Sequence, residues 1–306
     1  MYINPLSDIV FKYLLGREET KDLLLSFINS VLEDSDLETM QSLEIRNPFN
    51  LKEFKVDKTS ILDIKAIDNK GKIYNIEVQN IGDEVFVSRS LYYWAKLYAG
   101  QLEESEDYNK LQPVICINVL SFDLIEKPDL LHSCFMAFDK RDKDLLLSEN
   151  FQIHFIELKK YQNNLNKLKK TLNDWVCYFL NEGREEEIVK TVLEHNPLLK
   201  KVHREYKKFT LDDQMREIYE YQEKKRKDEK SLINSFYKKG VKEGIKEGIK
   251  EGEIKGEKKG KIEIAQNMLK MKADIHFIHQ ATGLSIEEIK KLTPSPPLLE
   301  REGEKK

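Results

Sequence analysis

The residues of this 306-residue chain with the types and spacing to do chemistry are Asp63 and Glu77. Asp63 lies in the run Ile61-Leu62-Asp63-Ile64-Lys65-Ala66-Ile67, and Glu77 in Ile73-Tyr74-Asn75-Ile76-Glu77-Val78-Gln79. Both runs alternate with period two and are rich in β-branched and aromatic residues, and Asn69-Lys70-Gly71 between them is turn chemistry, so the pattern predicts a hairpin. With Ile67 facing Ile73, Lys65 faces Asn75 and Asp63 faces Glu77. Cross-strand partners on one face hold their Cβ atoms roughly 4.5–5.5 Å apart, which sets the two acids side by side with Gln79 one step further along. Leu62, Ile64, Ala66, Tyr74, Ile76 and Val78 line the other face, which is core.

Two carboxylates this close repel unless a cation lies between them, and a hard divalent ion with oxygen ligands is the usual answer. The backbone carbonyl of Val78 offers a third oxygen. Such an ion lowers the pKa of a bound water and stabilises charge on a phosphoryl oxygen during in-line displacement. The spacing therefore fits metal-assisted phosphodiester hydrolysis. Its alternative is a solvated pair of surface acids near Lys65 and Lys72.

The order of the surrounding stretches resembles the PD-(D/E)XK nuclease superfamily, and within it the recombination-promoting nuclease (Rpn) or transposase-like family. The resemblance is carried by Pro5-Leu6-Ser7-Asp8-Ile9-Val10-Phe11-Lys12, the two runs around Asp63 and Glu77, Arg89 to Tyr98, Tyr108 to Ile117, and Phe155-Ile156-Glu157-Leu158. Together these cover most of residues 1–160. The resemblance implies that Asp63 and Glu77 are the metal-binding acids, that Mg²⁺ or Mn²⁺ is the metal, and that the activity is a DNA endonuclease linked to recombination, mobile elements or phage defence. It leaves Asp8 as an accessory acid, with Lys12 and Lys65 as accessory cations. Gln79 stands where the superfamily's name has Lys, a usual variant in the Rpn-like family. A neutral amide there only hydrogen-bonds, so the positive charge must come from elsewhere, Lys65 or Lys96 being candidates.

Several elements must position these groups. Residues 84–102 predict a helix, with Val85, Ser88, Leu91, Tyr92, Ala95, Tyr98, Ala99 and Leu102 at helical spacing and Arg89, Tyr93 and Lys96 on another side. That second stripe is placed to touch a DNA phosphate backbone. In the alternative, Tyr93 covers the core edge and Arg89 pairs with Glu77. Ser7 or Asp8 is expected to cap a helix beginning at Ile9. Pro113 to Leu120 reads as a strand buried on both faces, and Phe151 to Leu158 as a further strand. The fold class expected is α/β: a PD-(D/E)XK restriction-endonuclease-like core, a mixed central sheet flanked by helices, with an α-helical C-terminal extension.

Composition fits a soluble cytoplasmic protein that needs no organic cofactor. The N-terminus lacks an apolar signal-peptide region and no apolar run is long enough for a membrane span. Cys116, Cys134 and Cys177 lack CxxC spacing, and His276 and His279 have no third ligand nearby, which argues against structural zinc. A net charge of −3 means that DNA affinity must come from local patches.

Five regions are expected: a nuclease-like domain over 1–160, a helical extension over 161–238, a Gly-x-x-x-Gly repeat over 239–261, a small helical module over 262–293, and a disordered tail over 294–306. In the repeat, Gly240, Gly244, Gly248, Gly252, Gly256 and Gly260 alternate with Val/Ile, Lys and Glu. Six glycines in a helix cost about 5–6 kcal/mol relative to alanine. Self-association through the glycine stripe would offset that cost; a flexible charged tether would not incur it. The module's last helix follows a capping box, Ser285-Ile286-Glu287-Glu288. It superficially matches helix-turn-helix order, but acids stand where a recognition helix meets DNA, so the module is read as a packing or protein-contact unit. These features leave a second function open, a catalytically weak nuclease-fold protein acting through its oligomerising tail, and a third, a regulatory partner in mobile-element biology.

Overall fold

The computed structural model describes residues 2–47, 64–82, 85–163 and 168–292. The hairpin forms in the expected register. Strand β2 (Ile64–Asp68) runs antiparallel to β3 (Ile73–Gln79), with Ile67 opposite Ile73, Lys65 opposite Asn75 and Ile64 opposite Ile76. Its turn is closed by a side chain: Asp68 Oδ1 accepts from the Lys70 and Lys72 amides at 2.8 and 2.9 Å. Gly71 takes φ 88°, a conformation open to glycine at little steric cost. Asp63, one step beyond Ile64, lies outside the described residues.

The hairpin is the centre of a six-stranded mixed sheet, in the order β1-β2-β3-β4-β6-β5. Strand β1 is Leu43–Ile45, β4 Val114–Leu120, β5 His132–Phe138 and β6 Leu146–Glu157. Strands β3, β4 and β6 are parallel, so their C-terminal ends share one edge, while β1, β2 and β5 run against their neighbours. Strands β1 and β5 escaped the sequence reading; β1 has only three residues, and β5 carries His132, Ser133 and Cys134 in place of a clean apolar alternation.

On one face, Ile64, Ala66, Tyr74, Ile76, Val78, Ile117 and Val119 join a large core with helices α1 (Asp8–Leu15), α2 (Lys21–Asp34), α4 (Lys170–Asn181), α5 (Glu186–His195) and α6 (Pro197–Leu211). Edge-to-face rings of Phe11, Phe27, Trp175 and Phe179 knit α1, α2 and α4 together. The helical extension thus shares its core with the sheet, and its break comes at Gly183, φ 74°.

Helix α3 (Phe86–Ala99) covers the other face. Its inward stripe differs from the expected one. Phe86 and Ser90 are buried, Trp94, Leu97 and Tyr98 are packed on the sheet, and Val85, Leu91 and Tyr92 face solvent, Tyr92 at 62% exposure. The rings decide the rotation: they bury more apolar area than the Val/Leu stripe, and Trp94 Nε1 donates to the Val114 carbonyl at 3.0 Å.

A chain of polar groups crosses the large core. Asp34 Oδ2 lies 2.7 Å from His132 Nδ1, His132 Nε2 lies 3.1 Å from His154 Nδ1, and His154 Nε2 lies 3.7 Å from Cys134 Sγ. Burial holds His154 at about 3, with the neighbouring His132 adding to the shift, and burial pushes the Cys134 thiol up to about 11. The neutral His154 ring thus has one nitrogen that donates and one that accepts, and it stands between His132 and the Cys134 thiol.

The chain divides into two compact units, residues 1–222 and 223–306. Helix α7 (Asp213–Lys270) is continuous for 58 residues, so the glycine repeat is helical. Its Val241, Ile245 and Ile249 are exposed, and a Cβ built at any of the six repeat glycines would meet nothing within 4 Å. In the second unit, the end of α7 joins α8 (Ile275–Thr282) and α9 (Ile286–Leu292) around Ala265, Ile278, Leu284 and Ile289. The capping box is made: Glu288 Oε2 accepts from the Ser285 amide at 3.0 Å, and Ser285 Oγ accepts from the Glu288 amide at 3.2 Å. Residues 294–306, expected to be disordered, lie outside the described residues.

Candidate active site

Glu77 sits near the C-terminal end of β3, opposite Asn118 of β4, on the face covered by α3. Its side chain is only 9% exposed. A carboxylate so far removed from water needs charge or hydrogen bonds around it. Two groups meet on its Oε1: the Gln79 amide donates at 2.5 Å, and Arg89 Nη2 stands 4.0 Å away. The Arg89 guanidinium also lies over the buried Phe86 ring, 4.8 Å from its centroid, so the first turn of α3 fixes where that charge points.

The loops at this edge are stitched to one another. Asn80, just after β3, donates from Nδ2 to the Leu6 carbonyl at 2.7 Å and accepts from the Ser121 hydroxyl at 2.9 Å. The Ser121 amide in turn donates to the Gln79 carbonyl at 2.9 Å. Strand alternation turns the neighbouring Val78 carbonyl the opposite way, away from β4. The Asn80 bond brings the start of α1 to the end of β3, the same helix that carries Asp8 in its first turn and the buried Lys12 in its last. Ser7 occupies the N-cap position, but its side chain makes no capping bond. Gly82 permits the next close approach, since a Cβ there would lie 2.8 Å from the Phe122 ring.

One buried ion pair at this edge was missed by sequence reasoning. Glu157, in one row with Gln79 and Leu120 across the parallel strands, accepts on Oε2 from the Leu124 and Ile125 amides at 2.5 and 3.0 Å and from Lys160 Nζ at 2.8 Å. Lys160 also donates to the Ile125 carbonyl at 2.7 Å. The signal available was an acid closing an apolar strand, followed three residues later by a lysine.

The structure thus brings Glu77, Gln79 and Arg89 together. The Arg89 contact follows the alternative reading of that residue. Lys65 is half-buried on the Glu77 face, one cross-strand pair further back, and its amide is held by Asn47 Oδ1 at 2.6 Å. Tyr93 is half-buried with its ring 5.8 Å from Tyr92. Lys96 is exposed in the last turn of α3, roughly 10 Å along the helix from Arg89. Among the described residues, no group of three His, Cys, Asp or Glu could hold a metal ion. Glu77 and the Val78 carbonyl are oxygen donors of the kind that suits a hard divalent ion, and Asp63, outside the described residues, would complete the set. Glu77 fits such an ion as a buried carboxylate fixed at a strand end, with the Arg89 guanidinium near Oε1 competing for the same negative charge.

A family model described as PD-(D/E)XK nuclease family transposase matches residues 5–235. The chain belongs to that family. A second model, the C-terminal HTH domain of the Rpn/YhgA-like nuclease family, matches residues 258–294. No curated protein and no solved structure matches the chain. For this PD-(D/E)XK family member, the first match spans the whole sheet, α3 and the helices α4 to α6, and continues into α7. The second likens the small module, read from sequence as a packing or protein-contact unit, to a helix-turn-helix domain.

Proposed function

We propose that the chain is a metal-dependent DNA endonuclease of the cytoplasm, hydrolysing phosphodiester bonds with Asp63 and Glu77 as ligands of Mg²⁺ or Mn²⁺. The observation that carries this reading is the buried Glu77 carboxylate at the parallel-strand edge, in a chain of a PD-(D/E)XK nuclease family. A bound divalent ion supplies a water of lowered pKa and charge stabilisation on the phosphoryl oxygen. Val78 would add its carbonyl to the ion, and Gln79 holds Glu77 Oε1 and orients either water or phosphate. Arg89, Tyr93 and Lys96, on α3, lie on the substrate side. Asp8, Lys12 and Lys65 are accessory groups from the adjoining elements.

The test is nicking of supercoiled plasmid by wild type, Asp63→Ala and Glu77→Ala with Mg²⁺ or Mn²⁺. Each substitution should lower the rate by at least about 100-fold. Cleavage retained in both variants, or none by wild type, overturns the assignment.

A second reading, a weak nuclease acting through an associating tail, is favoured by one observation: the α7 stripe of Val241, Ile245 and Ile249 beside open glycines has no partner in the single chain among the described residues. We propose that this stripe pairs with a second copy. Light scattering on wild type and on a chain ending near residue 235 decides it, an unchanged oligomeric state ruling the pairing out. In this reading residues 1–160 serve chemistry, 161–238 support them, and the stretch beyond 238, with its repeat ending at 261, serves assembly.

A further inference from the structure

We propose that Arg89 supplies the positive charge that the superfamily's lysine would bring and that Gln79 cannot. The inference rests on the nuclease reading of the Glu77 site and names a residue outside the motif strand for this role. Gln79 Nε2 and Arg89 Nη2 converge on the same oxygen, Glu77 Oε1, at 2.5 and 4.0 Å. A lysine at position 79 would carry its ammonium to that oxygen; here the amide makes the hydrogen bond and the guanidinium brings the charge. Phe86 makes this division of labour possible. It is fully buried at the start of α3, one turn before Arg89, and its ring sits under the guanidinium at 4.8 Å. The inward rotation of α3 around Phe86, Ser90 and Trp94 is what turns Arg89 to the sheet. Lys65 and Lys96, the other candidates, stand further off: Lys65 belongs to the preceding cross-strand pair, and Lys96 lies about two turns further along α3.

With the metal ligands loaded, the guanidinium is placed to stabilise charge developing on a phosphoryl oxygen beside Glu77. Before loading, it offsets the charge of a carboxylate that has little water around it. The two roles give opposite signs when the arginine is neutralised: slower chemistry, and tighter metal binding.

The experiment uses the full chain as wild type, Arg89→Gln, Arg89→Lys and Gln79→Lys/Arg89→Gln. Single-turnover plasmid nicking with Mn²⁺ is measured at saturating DNA, duplex binding by fluorescence anisotropy with Ca²⁺, and Mn²⁺ affinity by calorimetry. Arg89→Gln should lower the nicking rate about 100-fold, with the duplex dissociation constant changed less than about threefold and Mn²⁺ bound about fivefold more tightly. Gln79→Lys in that background should recover at least about tenfold of the rate, and Arg89→Lys should retain part of it. A wild-type rate in Arg89→Gln overturns the inference. So does a loss that appears only in duplex binding, which would make Arg89 a phosphate contact, or weaker Mn²⁺ binding without rescue by either lysine, which would make it structural. A wild type that cuts nothing overturns the nuclease reading instead, and the Mn²⁺ titration still supports or overturns Arg89 as the charge at Glu77.

Discussion

At the scale of single residues, the site is governed by how much water each polar group has lost. Glu77 gathers Gln79 and Arg89 on one oxygen, whereas His154 avoids the problem by staying neutral. The His154 ring is held at about 3, against an ordinary value near 6.5, with His132, Cys134 and Asp34 forming its polar chain. As the pH falls from 6.5 towards 3, the unfolded chain takes up a proton that the folded chain refuses, so this group's contribution is full above 6.5 and is lost through that window. Urea unfolding should show about 1.4 kcal/mol of stability lost per pH unit from this source, and His154→Gln should flatten the slope by about one proton. Equal slopes would mean that the buried ring is not kept neutral. At Gly82, a Cβ would lie 2.8 Å from the Phe122 ring, so Gly82→Ala should lower stability by about 1–3 kcal/mol, read from the urea midpoint. Full stability in that variant would argue against so close an approach. The hairpin register was legible because period-two alternation and a two-sided turn leave few ways to pair. The Asp34–His132–His154–Cys134 chain was not, because its members come from α2, β5 and β6 and carry no common spacing.

At the scale of elements, the strands were easier to read than the helix faces. A strand's side chains have two directions, but α3 offers competing stripes, and the choice between them fell to ring area and one indole hydrogen bond. That choice also decided whether Arg89 faced the sheet or the solvent. In α7 the arithmetic of the repeat is informative in another way. Around the helix, Gly240, Gly244 and Gly248 are each followed by Val or Ile about 100° on, then Lys, then Glu, so over these three repeats the small and apolar stripes are adjacent and are flanked by opposite charges. Two parallel copies would set a Glu flank against a Lys flank; antiparallel copies would set like against like. Gly244→Ala and Gly248→Ala have room for their methyl groups in the single chain and should each favour the helix by about 0.8–1 kcal/mol. If the stripe is a contact between copies, ellipticity should rise while the mass seen by light scattering falls. A rise in helicity with unchanged mass would remove the glycines from the interface.

At the scale of the whole molecule, charge is unevenly distributed. Residues 223–306 carry 21 Lys and Arg against 15 Asp and Glu, so the chain's net −3 hides a basic second unit and a first unit near −9. Any attraction to a phosphate backbone would fall mainly to the second unit, and would carry a strong dependence on salt. Duplex binding by the full chain should weaken at least about tenfold between 50 and 200 mM salt, and Lys→Glu changes at Lys227, Lys230 and Lys238 should reduce both affinity and salt slope. An unchanged slope would locate DNA contact in the first unit. In the module that the helix-turn-helix model matches, the first turn of the last helix carries Glu287 and Glu288, the latter tied to Ser285 and to Lys258. An end so supplied with negative charge repels phosphate, which favours approach from a different surface. The two family-model matches thus fall on different stretches of one chain, residues 5–235 and 258–294, and no described helix is long and apolar enough to cross a membrane.

The open glycines of α7 also set a clock. Each repeat adds a glycine amide that is sheltered by one helical hydrogen bond and, among the described residues, by no side chain from elsewhere. Such amides open locally at little cost, so deuterium should enter residues 240–260 within the shortest labelling times, well before the sheet strands β3 and β4. Covering the stripe with a second copy would slow that uptake with rising protein concentration, turning the weakest stretch of helix into a direct gauge of how many chains are paired.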